Sequence, residues 1–152
     1  MQHTGASRRQ ILYWTQSGIL RPLNPGVPRI RFQFDRCALI RIIVIRRLLA
    51  CGLSLQHIRR TTKSLRVTAI ADSIDRDERP VLFCPVDGSP ASVYLETGQL
   101  IERASVHRGA SVLIPFTASM RLLIREQLML DVPRETYSEG CRHESSAMPA
   151  LP

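Results

Sequence analysis

Acidic side chains are nearly missing from the first 66 residues of this 152-residue chain. Asp35 stands alone there against twelve arginines and one lysine, a net charge of +12. Lysine is scarce throughout, with Lys63 the single example. Residues 67–152 hold eight arginines and twelve acids, a net −4, so the overall +8 belongs to one half. A basic half of this intensity is the electrostatic footprint of nucleic-acid binding, with an anionic membrane surface as the competing partner. Aromatic residues make up 5% of the chain, although its apolar content is ordinary and supports a modest core. No stretch approaches the roughly 18 apolar residues of a membrane-spanning helix. The polar N-terminus does not read as a secretory signal. Cys37, Cys51, Cys84 and Cys141 are scattered with no C-x-x-C spacing. That pattern reads as ordinary thiols in a reduced, cytoplasmic protein. The length fits one small domain or two very small ones.

Other absences bear on chemistry. His3, His57, His107 and His143 are not set against a Ser or Cys and an orienting acid, as a nucleophile with its base would require. No Gly-rich phosphate loop and no paired-carboxylate motif occurs. Cys141-x-His143 is the one close Cys/His pair, whereas a tetrahedral site needs three or four converging ligands. The expectation is no enzyme, no metal and no cofactor.

What is present begins with SRRQILYWTQSGILRP, residues 7–22. Ser7 and Gln10 have the Ser-x-x-Gln spacing of a helix capping box, and Gly18 suits an exit through the left-handed region. A helix of about ten residues is predicted between them, with Arg8 and Arg9 in its first turn. Cations are unfavourable at that end of the helix dipole, so two arginines there point to an anion such as DNA phosphate, or to a base edge. Solvated arginines are the plainer alternative.

Pro22, Pro25, Gly26 and Pro28 then forbid a helix. Ile30, Phe32 and Phe34 alternate with Arg29, Arg31 and Gln33, which gives a short ribbon with one apolar and one basic face. Such a ribbon after a helix-turn-helix is what a wing looks like; an edge strand with solvated arginines is the alternative. Asp35 can cap a helix running to Cys51, before Gly52. Its β-branched content would allow a strand, but its length argues for a helix. Ser54 can cap a further helix, with Leu55, Ile58, Thr62 and Leu65 on one face and Arg59, Arg60 and Lys63 on the other.

The second half reads differently. Residues 67–79 are mixed and acidic, and are predicted to be a connector. VLFCPV and ASVYLE flank the turn Asp87-Gly88-Ser89-Pro90 as a hairpin. Thr97-Gly98 makes another turn before QLIERA, and SVLIPF is a short strand. Thr117 caps an amphipathic helix expected to reach Leu130. The polar tail 131–152 is expected to be disordered.

The order SRRQILYW, GILRP, a Pro/Gly turn, RIRFQFD, an apolar helix and RRLLACGLSLQHIRR resembles the MerR-type winged helix-turn-helix regulators, over residues 4 to about 66. The resemblance implies that SRRQILYW is the recognition helix. Ser7, Arg8, Arg9, Tyr13, Trp14, Arg29 and Arg31 are then the DNA-binding residues. Arg8 and Arg9 would face the major groove, Tyr13 and Trp14 would contact backbone or pack beneath, and Arg29 and Arg31 would be wing residues on phosphate. Trp14 also reads as plain core. Six residues precede Ser7, too few for the family's first helix, so the N-terminus looks truncated, with Ile11 and Leu12 expected to lose their cover. The family's long dimerisation helix is also missing after Leu65. Residues 80–130 are similar instead to the small C-terminal domain of short bacterial MerR-like and antitoxin-type regulators.

The expected fold class is α+β: a mainly helical winged helix-turn-helix over 1–66, a connector over 67–79, a small hairpin-plus-helix domain over 80–130 and a tail over 131–152. The expected function is a sequence-specific transcriptional regulator on double-stranded DNA, a homodimer or bound to a partner protein through its C-terminal domain, with no membrane. The alternative is an antitoxin-like module that binds and neutralises a partner.

Overall fold

A computed structural model describes residues 4–24, 32–95, 97–126 and 129–132. The fold is α+β, as the pattern implies. The first helix, α1, spans Arg8–Gln16. Ser7 closes it with a complete capping box: its hydroxyl accepts from the Gln10 amide at 3.2 Å, and the Gln10 side chain accepts from the Ser7 amide at 2.9 Å. Gly18 takes a φ of +72°, where the chain turns back so that the Ile19 and Leu20 amides both donate to the Trp14 carbonyl.

Strand β1, Phe32–Asp35, leads directly into helix α2, Arg36–Ala50. The Asp35 carboxylate caps α2 by accepting from the Ala38 amide at 2.7 Å. Ala38, Leu39, Ile40, Ile42, Ile43, Val44, Ile45 and Leu48 are all buried. A helix apolar nearly all round has to be enclosed, and α2 is the hub of the fold. It packs against α3 (Leu55–Thr61), α4 (Val67–Asp75), β4 (Ser111–Pro115) and α6 (Ala118–Glu126), and also meets the strands at either end of the chain, β1 and β5 (Met129–Val132). Enclosure on all sides is why its β-branched residues form a helix here: burial of its many apolar side chains outweighs a propensity penalty of a few tenths of a kcal/mol each.

Strand β2, Val81–Pro85, is the centre of an antiparallel sheet with β3, Ser92–Tyr94, on one side and β4 on the other. Helix α5, Thr97–Val106, connects β3 to β4. A second, two-stranded antiparallel sheet joins β1 to β5 in the register Phe32↔Val132 through Asp35↔Met129.

The structure departs from the sequence pattern in four places. Residues 67–79, expected as a connector, contain α4, whose Val67, Ile70, Ala71 and Ile74 are buried at helical spacing against α2 and α6. Thr97-Gly98, expected as a turn, begin helix α5 instead. The last helix ends at Glu126 instead of reaching Leu130, and Met129–Val132 is a strand that extends into the tail expected to be disordered. Finally, the inner face of α1 keeps its cover. Ile11 and Trp14 are fully buried, and Leu12 packs against the same core. One continuous cluster of buried side chains runs from Ala6 to Ile124, with members from both halves. Residues 133–152, including Cys141 and His143, lie outside the described residues, as do His3 and the Arg29 and Arg31 of the ribbon.

Candidate nucleic-acid interface

The burial of Ile11 and Trp14 fixes how α1 faces outward. Arg9, Tyr13 and Gln16 stand at positions i, i+4 and i+7 on the opposite side and are all exposed, Tyr13 by 56%. Arg8 is half-buried at the same end. Trp14, among the expected DNA-binding residues, is 1% exposed. It belongs to the core beneath the helix, where no duplex could reach it. Ser7 is exposed, but its hydroxyl and amide are both engaged in the capping box, so its contribution is to hold the start of α1 in place. Two backbone bonds lock the far end: the Thr15 hydroxyl donates to the Ile11 carbonyl at 2.8 Å and the Ser17 hydroxyl to the Trp14 carbonyl at 3.1 Å.

Where α1 ends, a groove of about 700 Å³ opens between its exit turn, the start of α2 and the polar face of α3. Gly18 and Ile19 form one wall, Cys37 and Ala38 another, and Arg21, Arg41, Arg59, Arg60 and Lys63 converge on it. Asp35 is its one acid, and that carboxylate caps α2. The ion pairs among the described residues lie elsewhere: Arg36 with Asp75, Arg76 with Glu78, and Arg125 with Asp77. Among the described residues, none of these five cations is in an ion pair. A concave site lined by one sign of charge focuses its field on an incoming anion. Cys37, at the groove wall, has its thiol pushed up from the ordinary range by burial and by the nearby Asp35 carboxylate, so it stays a neutral thiol there.

The sequence pattern placed Arg59, Arg60 and Lys63 on the polar face of their helix, but did not bring them together with Arg21 and Arg41 as a site. Their convergence depends on how α3 packs on α2, which spacing along the chain does not encode. The structure puts Arg9 and Tyr13 on one exposed face of α1, with the half-buried Arg8 at its first turn. No group of three or more His, Cys, Asp or Glu side chains that could hold a metal occurs among the described residues. Nor does any helix there have the length and apolarity to cross a membrane.

No curated protein and no solved structure matches the chain. Residues 1–65 match the model of the MerR HTH family regulatory protein. That stretch holds α1, the groove and the strand that leads into α2. The N-terminal region is thus of the MerR helix-turn-helix type, the architecture of a DNA-binding transcriptional regulator.

Proposed function

We propose that this protein is a sequence-specific regulator that sets the exposed face of α1 in the major groove of duplex DNA. On this reading Arg8, Arg9, Tyr13 and Gln16 face the base edges and adjacent backbone. Arg21, Arg41, Arg59, Arg60 and Lys63 hold phosphates in the groove beside the helix exit, and Arg29 and Arg31 hold phosphates from the ribbon. The observation that carries the proposal is the convergence of five cations, none in an ion pair among the described residues, next to a helix whose outer face is polar and whose inner face is core. Phosphate contacts fix position and base contacts fix sequence, and the layout separates the two kinds of residue. A guanidinium at the start of α1 suits the O6 and N7 acceptors of guanine.

Selection from a randomised duplex library tests the assignment. Arg9→Ala should change the preferred base at one position, a loss of about 1–3 kcal/mol of discrimination. Arg59→Ala, or Arg29→Ala in the ribbon, should weaken all sequences about equally. The reverse pattern would exchange the two roles.

A further inference from the structure

Helix α1 carries the outward face of the candidate interface, yet it is nine residues long, shorter than a helix needs to persist alone in water. Ile11 and Trp14 seat its inner side in the core. Its far end is closed by its own exit turn, where the Ile19 and Leu20 amides donate to the Trp14 carbonyl. Its near end is reached through Thr4, Gly5 and Ala6. Thr4 and Ala6 are both buried, and the Thr4 hydroxyl accepts from the Ala6 amide at 3.3 Å. A backbone carbonyl in a buried segment has to find a donor. That of Thr4 finds Nη1 of Arg46, which donates to it at 2.7 Å from the exposed side of α2, 42 residues along the chain.

Gly5 completes the contact. Its φ is +60°, and the Arg46 guanidinium lies directly against it. A side-chain carbon at Gly5 would collide with Nη1 and stand 2.9 Å from Cζ. The bare backbone there is what lets the guanidinium come down on Thr4. From Thr4 the path to the helix is short: Ala6 in the core, Ser7 as the cap, then Arg8 and Arg9. A plainer role for Arg46 is that of one more exposed arginine in a basic half, meeting phosphate. A guanidinium engaged by a buried carbonyl and lodged against a glycine belongs instead to the scaffold.

We propose that Arg46 is a positioning residue for α1. By tying Thr4 to the hub helix α2 it fixes where the capped end of α1 stands, and so where Arg9 and Tyr13 meet the duplex. The inference rests on the DNA-binding reading above, and the experiment separates the two.

Arg46→Ala and Gly5→Ala are compared in the full chain. Both residues are exposed, so neither change empties the core. Arg46→Ala removes charge and clamp together. Gly5→Ala keeps the charge and displaces the guanidinium from Thr4, because the end of a long side chain yields before backbone does. Hydrogen exchange should show the amides of Ala6, Gln10 and Ile11, which bond back to Thr4 and Ser7, opening about tenfold faster in both variants, as expected when a buried carbonyl loses its donor. The Ile58 and Thr62 amides at α3 should not change. Gly5→Ala also strains a left-handed backbone position. In the double variant no guanidinium remains to displace, so the clamp predicts that the two changes together do less than their sum. Unchanged exchange in both single variants, or simple additivity, would overturn the clamp, whether or not the protein binds DNA.

Binding to duplexes selected from a randomised library then tests the positioning role. Both variants should lose about tenfold in preference for the selected sequence, toward the low end of what one good base contact supplies, and keep the wild-type slope of log K against log salt. A slope shallower by about 0.9 in Arg46→Ala with base preference intact is the mark of a phosphate contact, and would overturn the positioning role. So would faster exchange with base preference unchanged. Wild-type protein that binds no duplex would sink the DNA-binding reading, and the positioning role with it. Should Gly5→Ala fail to fold, Arg46→Ala decides alone, since its salt slope and its base preference already separate the two roles.

Discussion

The two halves of the chain use arginine in opposite ways. After residue 66, Arg76, Arg121 and Arg125 are bound into the protein itself. Arg125 pairs with Asp77 at 2.9 Å and also donates to the Ile74 carbonyl that ends α4; Arg76 pairs with Glu78; Arg121 donates to the Glu78 carbonyl. Before residue 66, Arg36 reaches across to an acid, in a two-pronged contact with Asp75 at 2.7 and 2.8 Å. Arg21, Arg41, Arg59, Arg60 and Lys63 stand around an open groove, with no ion pair to another described residue. The same residue type thus serves as internal staple at Arg76, Arg121 and Arg125, and at Arg36 and Arg46 of the first half, while a cluster of cations lines the groove. Net charge shows the imbalance between halves, but only the packing shows which cations remain free to meet an anion.

Covering the core, by contrast, is a task the halves share. Trp14, the sole tryptophan, is fully buried and reports on the N-terminal half. Trp14→Ala should destabilise the protein by about 3–5 kcal/mol, the usual cost of emptying a buried aromatic site, read by urea unfolding followed by circular dichroism. Ile70→Ala, in α4 of the other half, should cost about 2–5 kcal/mol. Because the buried cluster is continuous, the Ile70 variant should lower the midpoint seen by Trp14 fluorescence as well. A Trp14 midpoint that ignores the Ile70 substitution would split the molecule into independent units and break the shared-core part of the comparison.

Charge substitutions should move binding rather than stability. Arg59→Ala combined with Lys63→Ala should make the salt slope of duplex binding shallower by about 2, at roughly 0.9 per phosphate, while stability stays within about 0.5 kcal/mol of wild type, as for most surface changes. Arg121→Ala should do the reverse, leaving the slope intact. Equal effects of the two on binding would erase the distinction between groove and staple.

The smallest effect is on acid stability. Hydrogen bonds from Arg36, Arg125 and Arg76 hold the carboxyls of Asp75, Asp77 and Glu78 below their ordinary range. A depressed carboxyl contributes stability above its unfolded pKa and loses it as pH falls through the folded value. Melting temperature should therefore hold from neutral pH down to the ordinary carboxylate range near pH 4, then fall below it. Asp75→Asn should flatten part of that fall. All three carboxyls lie at the surface, so the change is slight.

Local chemistry made much of this fold legible. Ser7, Asp35 and Ser54 each cap the helix they were expected to cap, because a cap is decided within four residues. Gly18 and Gly52 adopt the positive φ their positions demanded. Helix α4 carried its own signal in the spacing of Val67, Ile70, Ala71 and Ile74. The interleaved Asp72 and Asp75 made the segment look like an acidic linker, although they lie on its outer face, where Asp75 pairs with Arg36. Strand β5 was not legible in that way. Met129–Val132, the end of the expected helix and the start of the polar tail, become a strand by pairing with an edge of β1 about a hundred residues earlier, a contact with no local mark. The groove was half legible: each helix showed its basic face, and the angle between the helices was not written in either.

The account stands most directly on electrostatic binding of duplex DNA by the N-terminal region. Its test is the salt dependence of affinity for a duplex fragment, measured by fluorescence anisotropy on the full chain. With six or so cations engaged, the slope of log K against log salt should be roughly −5. A slope shallower than about −2 would mean that the groove and ribbon arginines meet no phosphate, and would contradict the account.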